Sequence, residues 1–174
     1  MRIVGTINAA IWLGAGVFFS LMILPAVFSA DMHKVLHANP AYNAYYSGGI
    51  AEVLFRRFFV LQYICGAVAI LHLFAEKLYL GRALPKLGTA VVVGIFSLGL
   101  LGGIWLQPKM EDLRERMYAG TVEDRERARH SFGLWHGMSQ LVNLGIMAGL
   151  VVHLVSVTRP VDSTRYGTFT KFRG

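Results

Sequence analysis

Four long apolar runs, at about residues 3–29, 54–75, 87–107 and 132–157, dominate the pattern of the chain. Each meets the roughly 20-residue length that a membrane-spanning helix needs. Polar connections separate them: a moderately polar one over 30–53, a short basic one over 76–86 and a charge-dense one over 108–131. The pattern predicts an all-α protein, an integral membrane four-transmembrane-helix bundle, as one domain over residues 1–158. A basic C-terminal tail over 159–174 follows and is expected to be poorly ordered.

Small residues recur four apart at Ala10/Gly14, Ala90/Gly94, Gly99/Gly103 and Gly145/Gly149. Such pairs let helix backbones approach closely where lipid removes the hydrophobic drive between helices. They predict a compact bundle and leave a homodimer or a larger membrane complex open. The third connection holds six acidic and six basic residues, with Asp112/Arg116 and Glu123/Arg127 at i,i+4. That spacing predicts a solvated helical extension, broken near Gly120.

Composition sharpens the class. The chain is 55% hydrophobic and only 16% charged, with mean hydropathy +0.50, whereas a soluble domain carries about a quarter charged residues. The net charge of +7 would suggest nucleic acid in a soluble protein. Here the basic residues border apolar spans, which points to the lipid bilayer as partner and away from nucleic acid. The one cysteine, Cys65, lies within a span, so no intrachain disulfide forms. Arg2 followed by an apolar run resembles a signal peptide, but the run is too long for one and Phe28/Ala30 makes a poor cleavage site. A retained first helix is expected. The short basic connection, with Lys77, Arg82 and Lys86, places both termini in the cytoplasm of a plasma membrane, or of an inner membrane in a bacterium.

Polar residues inside the runs mark candidate chemistry. His136, Gln140 and Asn143 follow i, i+4, i+7 and share one stripe, with Ser139 beside it. The stripe descends about 10 Å from the face opposite the termini, here called the far face. Arg56 on the second run and Trp105, Gln107 and Lys109 at the end of the third reach the same level. Together they predict a ligand-binding pocket opening on the far face; the amides and hydroxyls would equally serve hydrogen bonds between helices. An ionisable residue inside a span, as His136 is, marks a candidate site.

The other histidines offer metal and haem readings. His33 and His37 at i,i+4 would present two imidazoles on one helical turn, an arrangement suited to copper or zinc with His136 nearby; a solvated loop helix is the alternative. His72 and His153, on different helices, could ligate haem b from two sides. Against this, at 100° per residue the His153 face is rotated roughly 130° from the His136 stripe, so the two are not expected both to face the bundle centre. No nucleophile elbow, P-loop, HExxH or glycine-rich nucleotide loop is present, so a non-enzymatic role is expected.

The segments WLQPK at 105–109 and HGMSQLVNLG at 136–145, with LFRRFF at 54–59 and WLGAGVFF at 12–19, resemble the transmembrane protein 205 family. The resemblance covers the four spans and implies a membrane-embedded four-helix bundle with no settled activity. It coincides with His136, Ser139, Asn143, Trp105, Gln107 and Pro108. A more distant similarity links the chain to CopD copper-resistance and HemJ protoporphyrinogen oxidase bundles through the W-x-G segment of the first run. HemJ-like proteins carry a histidine seven residues before that tryptophan, where Gly5 stands here. The leading expectation is a protein that binds or moves a small ligand or soft metal ion through the far-face pocket. An accessory or assembly subunit and a haem-b redox protein are the alternatives.

Overall fold

The computed structural model describes residues 2–37, 39, 42–80 and 86–158. The expected tail and Arg82 lie outside them. Among the described residues every regular element is helical: α1 (Arg2–Phe18), α2 (Leu24–Val27), α3 (Ala30–Leu36), α4 (Asn43–Leu80), α5 (Lys86–Leu101), α6 (Gln107–Arg116) and α7 (Val122–Thr158). Two π-helical turns, Phe19–Ile23 and Gly102–Leu106, join α1 to α2 and α5 to α6.

Four of the resulting helices are long and apolar enough to cross a membrane: Ile3–Val27, Asn43–Tyr79, Lys86–Arg116 and Val122–Thr158. Between 17% and 22% of each span's most apolar window is buried inside the protein. The remaining apolar side chains face outward over a surface that only hydrocarbon accommodates. The protein is an integral membrane four-helix bundle.

The helices run further than the apolar runs. A helix ends where its backbone is broken, and nothing between Asn43 and Leu80 breaks it, so α4 spans 38 residues. That is about 57 Å, against a hydrocarbon core of about 30 Å. The charge-dense segment is helical too, as α6 and the first turns of α7, with its break at Gly120, whose φ of +84° suits glycine. Thr121 caps α7: the Asp124 amide donates to Thr121 Oγ1 (3.2 Å) and the Thr121 amide donates back to Asp124 Oδ2 (3.4 Å).

Both π turns have a proline two residues beyond them, Pro25 and Pro108. Proline lacks the N–H and its ring crowds the carbonyl four residues back, here Leu21 and Ile104, each inside a π turn. The widened turn accommodates that carbonyl, and both such turns stand in the far half of the bundle.

The first span packs on the second and fourth, and the third packs on the second and fourth, so the four spans form a closed square. Ile3, Thr6 and Ile7 meet Val157 and Thr158, so both described ends share one face. Trp12, Cys65, Ala69, Val92, Ile95, Ile146 and Leu150 make the core. Two interhelical hydrogen bonds run through it: the Trp12 indole N–H donates to Gln62 Oε1, and Asn8 Nδ2 donates to the Cys65 carbonyl (2.9 Å). Each such bond contributes about 0.6 kcal/mol in a membrane. The small-residue pairs behave unevenly. A Cβ on Gly149 would stand 2.9 Å from Ile95, and one on Gly103 would strike Tyr63, but Gly14 and Gly94 meet nothing within 4 Å.

A far-face pocket and its rim

All four spans line a cleft of about 390 Å³ in the far half of the bundle. Its walls are mostly apolar: Leu24, Pro25 and Phe28 from the first span, Phe55 and Phe59 from the second, Leu106 and Met110 from the third, and Phe132 from the fourth. Phe19 stacks on Phe58 (centroids 4.3 Å) and meets Phe55 edge-on (5.0 Å), an aromatic packing that backs the deep end. The volume lies in the range of small-molecule sites, where an apolar lining carries a few placed polar groups.

Four of the residues expected to form the pocket line it: His136, Ser139, Gln140 and Gln107. The His136 ring stacks on Phe132 (5.9 Å, 10°). Ser139 Oγ donates to the His136 carbonyl (2.7 Å), satisfying itself within the helix. Asn143 stands just below and donates through Nδ2 to Ser20 Oγ (3.1 Å), which itself lines the cleft. Arg56 stands on the rim. Trp105 instead packs edge-on against Trp135 (5.1 Å, 82°) and is 55% exposed, and Lys109 is exposed and outside the lining.

An ion-pair network bridges the second and third spans at the mouth. Glu52 accepts from Arg56 (2.6 Å) and, through its other oxygen, from Arg114 (2.7 Å). Glu111 accepts from Arg56 (3.1 Å) and from Gln107 (3.0 Å). Arg114 lies over the Tyr45 ring at 5.2 Å, and Gly48 makes room for its Cδ. Two carboxylates thus face two guanidiniums, and the mouth carries no net charge from them. Arg114 and Glu111 were not expected in the pocket. Their signal is the stepping Gln107, Glu111, Arg114, which places them on one inward stripe of α6.

The His136 and His153 faces were not expected both to turn inward, yet both do so at different depths of the fourth span. His136 and Ser139 line the cleft, Asn143 bonds across to the first span, and Ile146, Leu150 and His153 are buried. With Val142 packed on the core and Gly149 against Ile95, the inward face of the fourth span is broad enough to take in both stripes.

The metal and haem readings find different geometry. The α3 helix ends at Leu36, and His37 turns left-handed (φ 45°), so the helical register that would pair it with His33 is not formed. Among the described residues no three histidine, cysteine, aspartate or glutamate side chains come together as a metal site needs. His72 stands on the second span and His153 is buried on the fourth. The His72 ring, however, lies against the first helix, with Nε2 at 3.0 Å and Nδ1 at 3.3 Å from where a Cβ on Gly5 would stand. The first helix covers that edge of the His72 ring, which speaks against a haem there.

A family model described as a domain of unknown function (DUF4149) matches residues 7–119. The match takes in the first three spans and the rim residues Glu52, Arg56, Glu111 and Arg114, and stops before His136. No curated protein and no solved structure matches the chain.

Proposed function

The chain belongs to the DUF4149 family, a domain of unknown function, and from that premise we propose that it is a membrane-embedded, non-enzymatic binding protein for a small, largely apolar organic ligand held in the far-face pocket. The observation that carries this reading is the cleft itself, about 390 Å³ with aromatic and aliphatic walls and a polar side from His136, Gln140 and Gln107. The apolar walls supply the bulk of the binding and the polar side fixes orientation. The resemblance to the transmembrane protein 205 family belongs to the same proposal, since its motifs supply the polar side. So does the cytoplasmic placement of both termini, which would open the pocket outward.

Thermal unfolding of the full chain in mild detergent against a panel of short-chain alcohols, amides and aromatic ketones tests it. At least one compound raises Tm, and His136→Ala or Gln140→Ala shrinks the shift. A panel with no hit, or hits indifferent to both substitutions, removes the pocket from the proposal.

A further inference from the structure

We infer that the pocket takes its occupant sideways from the bilayer, and that the occupant is a lipid whose small head is an uncharged hydroxyl or carbonyl group. This rests on the reading of the cleft as a ligand site and names what fills it. The first and fourth spans pack together through α1, which ends at Phe18. Beyond that point the π turn and Pro25 redirect the chain, and α2 packs on α4 instead, while the outer part of α7 packs on α6. The Asn143–Ser20 hydrogen bond is the floor of the resulting gap. Above it stand Pro25 and Phe28 on one side and His136 and Gln140 on the other, all four exposed and all four lining the cleft.

The gap lies at bilayer depth. The Trp105–Trp135 pair has the character of an interfacial aromatic belt. Gln140 is about 7.5 Å further along its helix into the membrane than Trp135. A water-borne ligand has no need of such an opening, whereas a lipid reaches it by lateral diffusion with its chain already in hydrocarbon. The deep walls, Phe55, Phe59 and Leu106, suit an acyl or isoprenoid chain.

Charge selects the head. Glu52 and Glu111 are neutralised by Arg56 and Arg114, so a phosphate or ammonium head would meet no uncompensated partner. Among the described residues the His136 imidazole and the Gln140 amide have no hydrogen-bond partner. They face the gap at the level where a hydroxyl or carbonyl would enter.

The test uses the full chain in phosphatidylcholine vesicles carrying a trace of a diazirine-tagged lipid, either a monoacylglycerol or a phosphatidylglycerol. After illumination, adducts are mapped by mass spectrometry. The monoacylglycerol is expected to label Phe55, Phe59 and Leu106 in the wild-type chain. His136→Ala with Gln140→Ala should cut that labelling by about tenfold, the loss of two modest hydrogen bonds. Labelling of the outward Leu21, Met22, Leu141 and Leu144 should not change. Adducts confined to those four outward residues overturn the inference, and so does equal pocket labelling by phosphatidylglycerol. If the soluble compounds still raise Tm through His136 while lipid labels only the outside, the pocket stands and lateral lipid entry falls. If neither is seen, both readings fall.

Discussion

Arg114 ties the pocket's rim together: its guanidinium donates to Glu52, reaches the Tyr45 carbonyl (3.5 Å) and covers the Tyr45 ring, with the side chain 14% exposed. Arg114→Ala is therefore expected to lower stability by about 1.5–3 kcal/mol, the range for hydrogen bonds to charged groups. Arg56→Ala, at 61% exposure, should cost clearly less, because solvent screens both of its ion pairs. Unfolding of both variants in the same detergent checks the order; equal losses would mean that the sheltered Arg114 pair holds Glu52 no more firmly than the exposed Arg56 pair. At this scale the sequence was half readable. His136, Gln140 and Gln107 could be found because a polar group in an apolar run has few reasons to be there. Arg114 and Glu111 sit among charges of both signs at helical spacing, where inward and outward positions look alike. Gln62, buried against Trp12, was missed because a lone amide announces no partner.

Among elements, the glycines separate packing from mere composition. A Cβ on Gly103, inside the π turn that shapes the cleft, would strike the Tyr63 hydroxyl and come within 2.9 Å of Phe59. Gly103→Ala should destabilise by about 1–3 kcal/mol, the usual cost of overpacking. Gly14→Ala and Gly94→Ala meet nothing within 4 Å and should be neutral or stabilising by up to about 1 kcal/mol through helix propensity. Thermal unfolding of the three variants decides it, and a destabilised Gly14→Ala would reveal a helix packed there that a single chain does not supply. All three glycines belong to the same small-xxx-small pattern, so spacing could not rank them. Rank depends on which face of each helix turns inward, and in a membrane both faces are apolar. The two π turns were hidden for a related reason: Pro25 and Pro108 signal a disturbed ladder, but kink, break and widened turn share that signal.

For the whole molecule, the shared face of the two described ends follows from four antiparallel spans, which the four apolar runs already dictated. Which side of the membrane that face occupies is a matter of charge, and there the chain is nearly balanced. The far face carries the twelve charges of the third connection, six of each sign, and the positive-inside rule weighs basic residues most in short connections. On that rule the short basic connection over 76–86 is expected to outweigh the longer mixed one, with the pocket mouth outside. Ala119, exposed in the turn between α6 and α7, reports this directly. The native Cys65 is 3% exposed, so it stays silent to a thiol reagent and needs no removal. In intact cells expressing Ala119→Cys, a membrane-impermeant maleimide is expected to label the protein without permeabilisation. Labelling only after permeabilisation would reverse the orientation, turn the cleft toward the cytoplasm, and make the inner leaflet the source of any lipid that enters between the first and fourth spans.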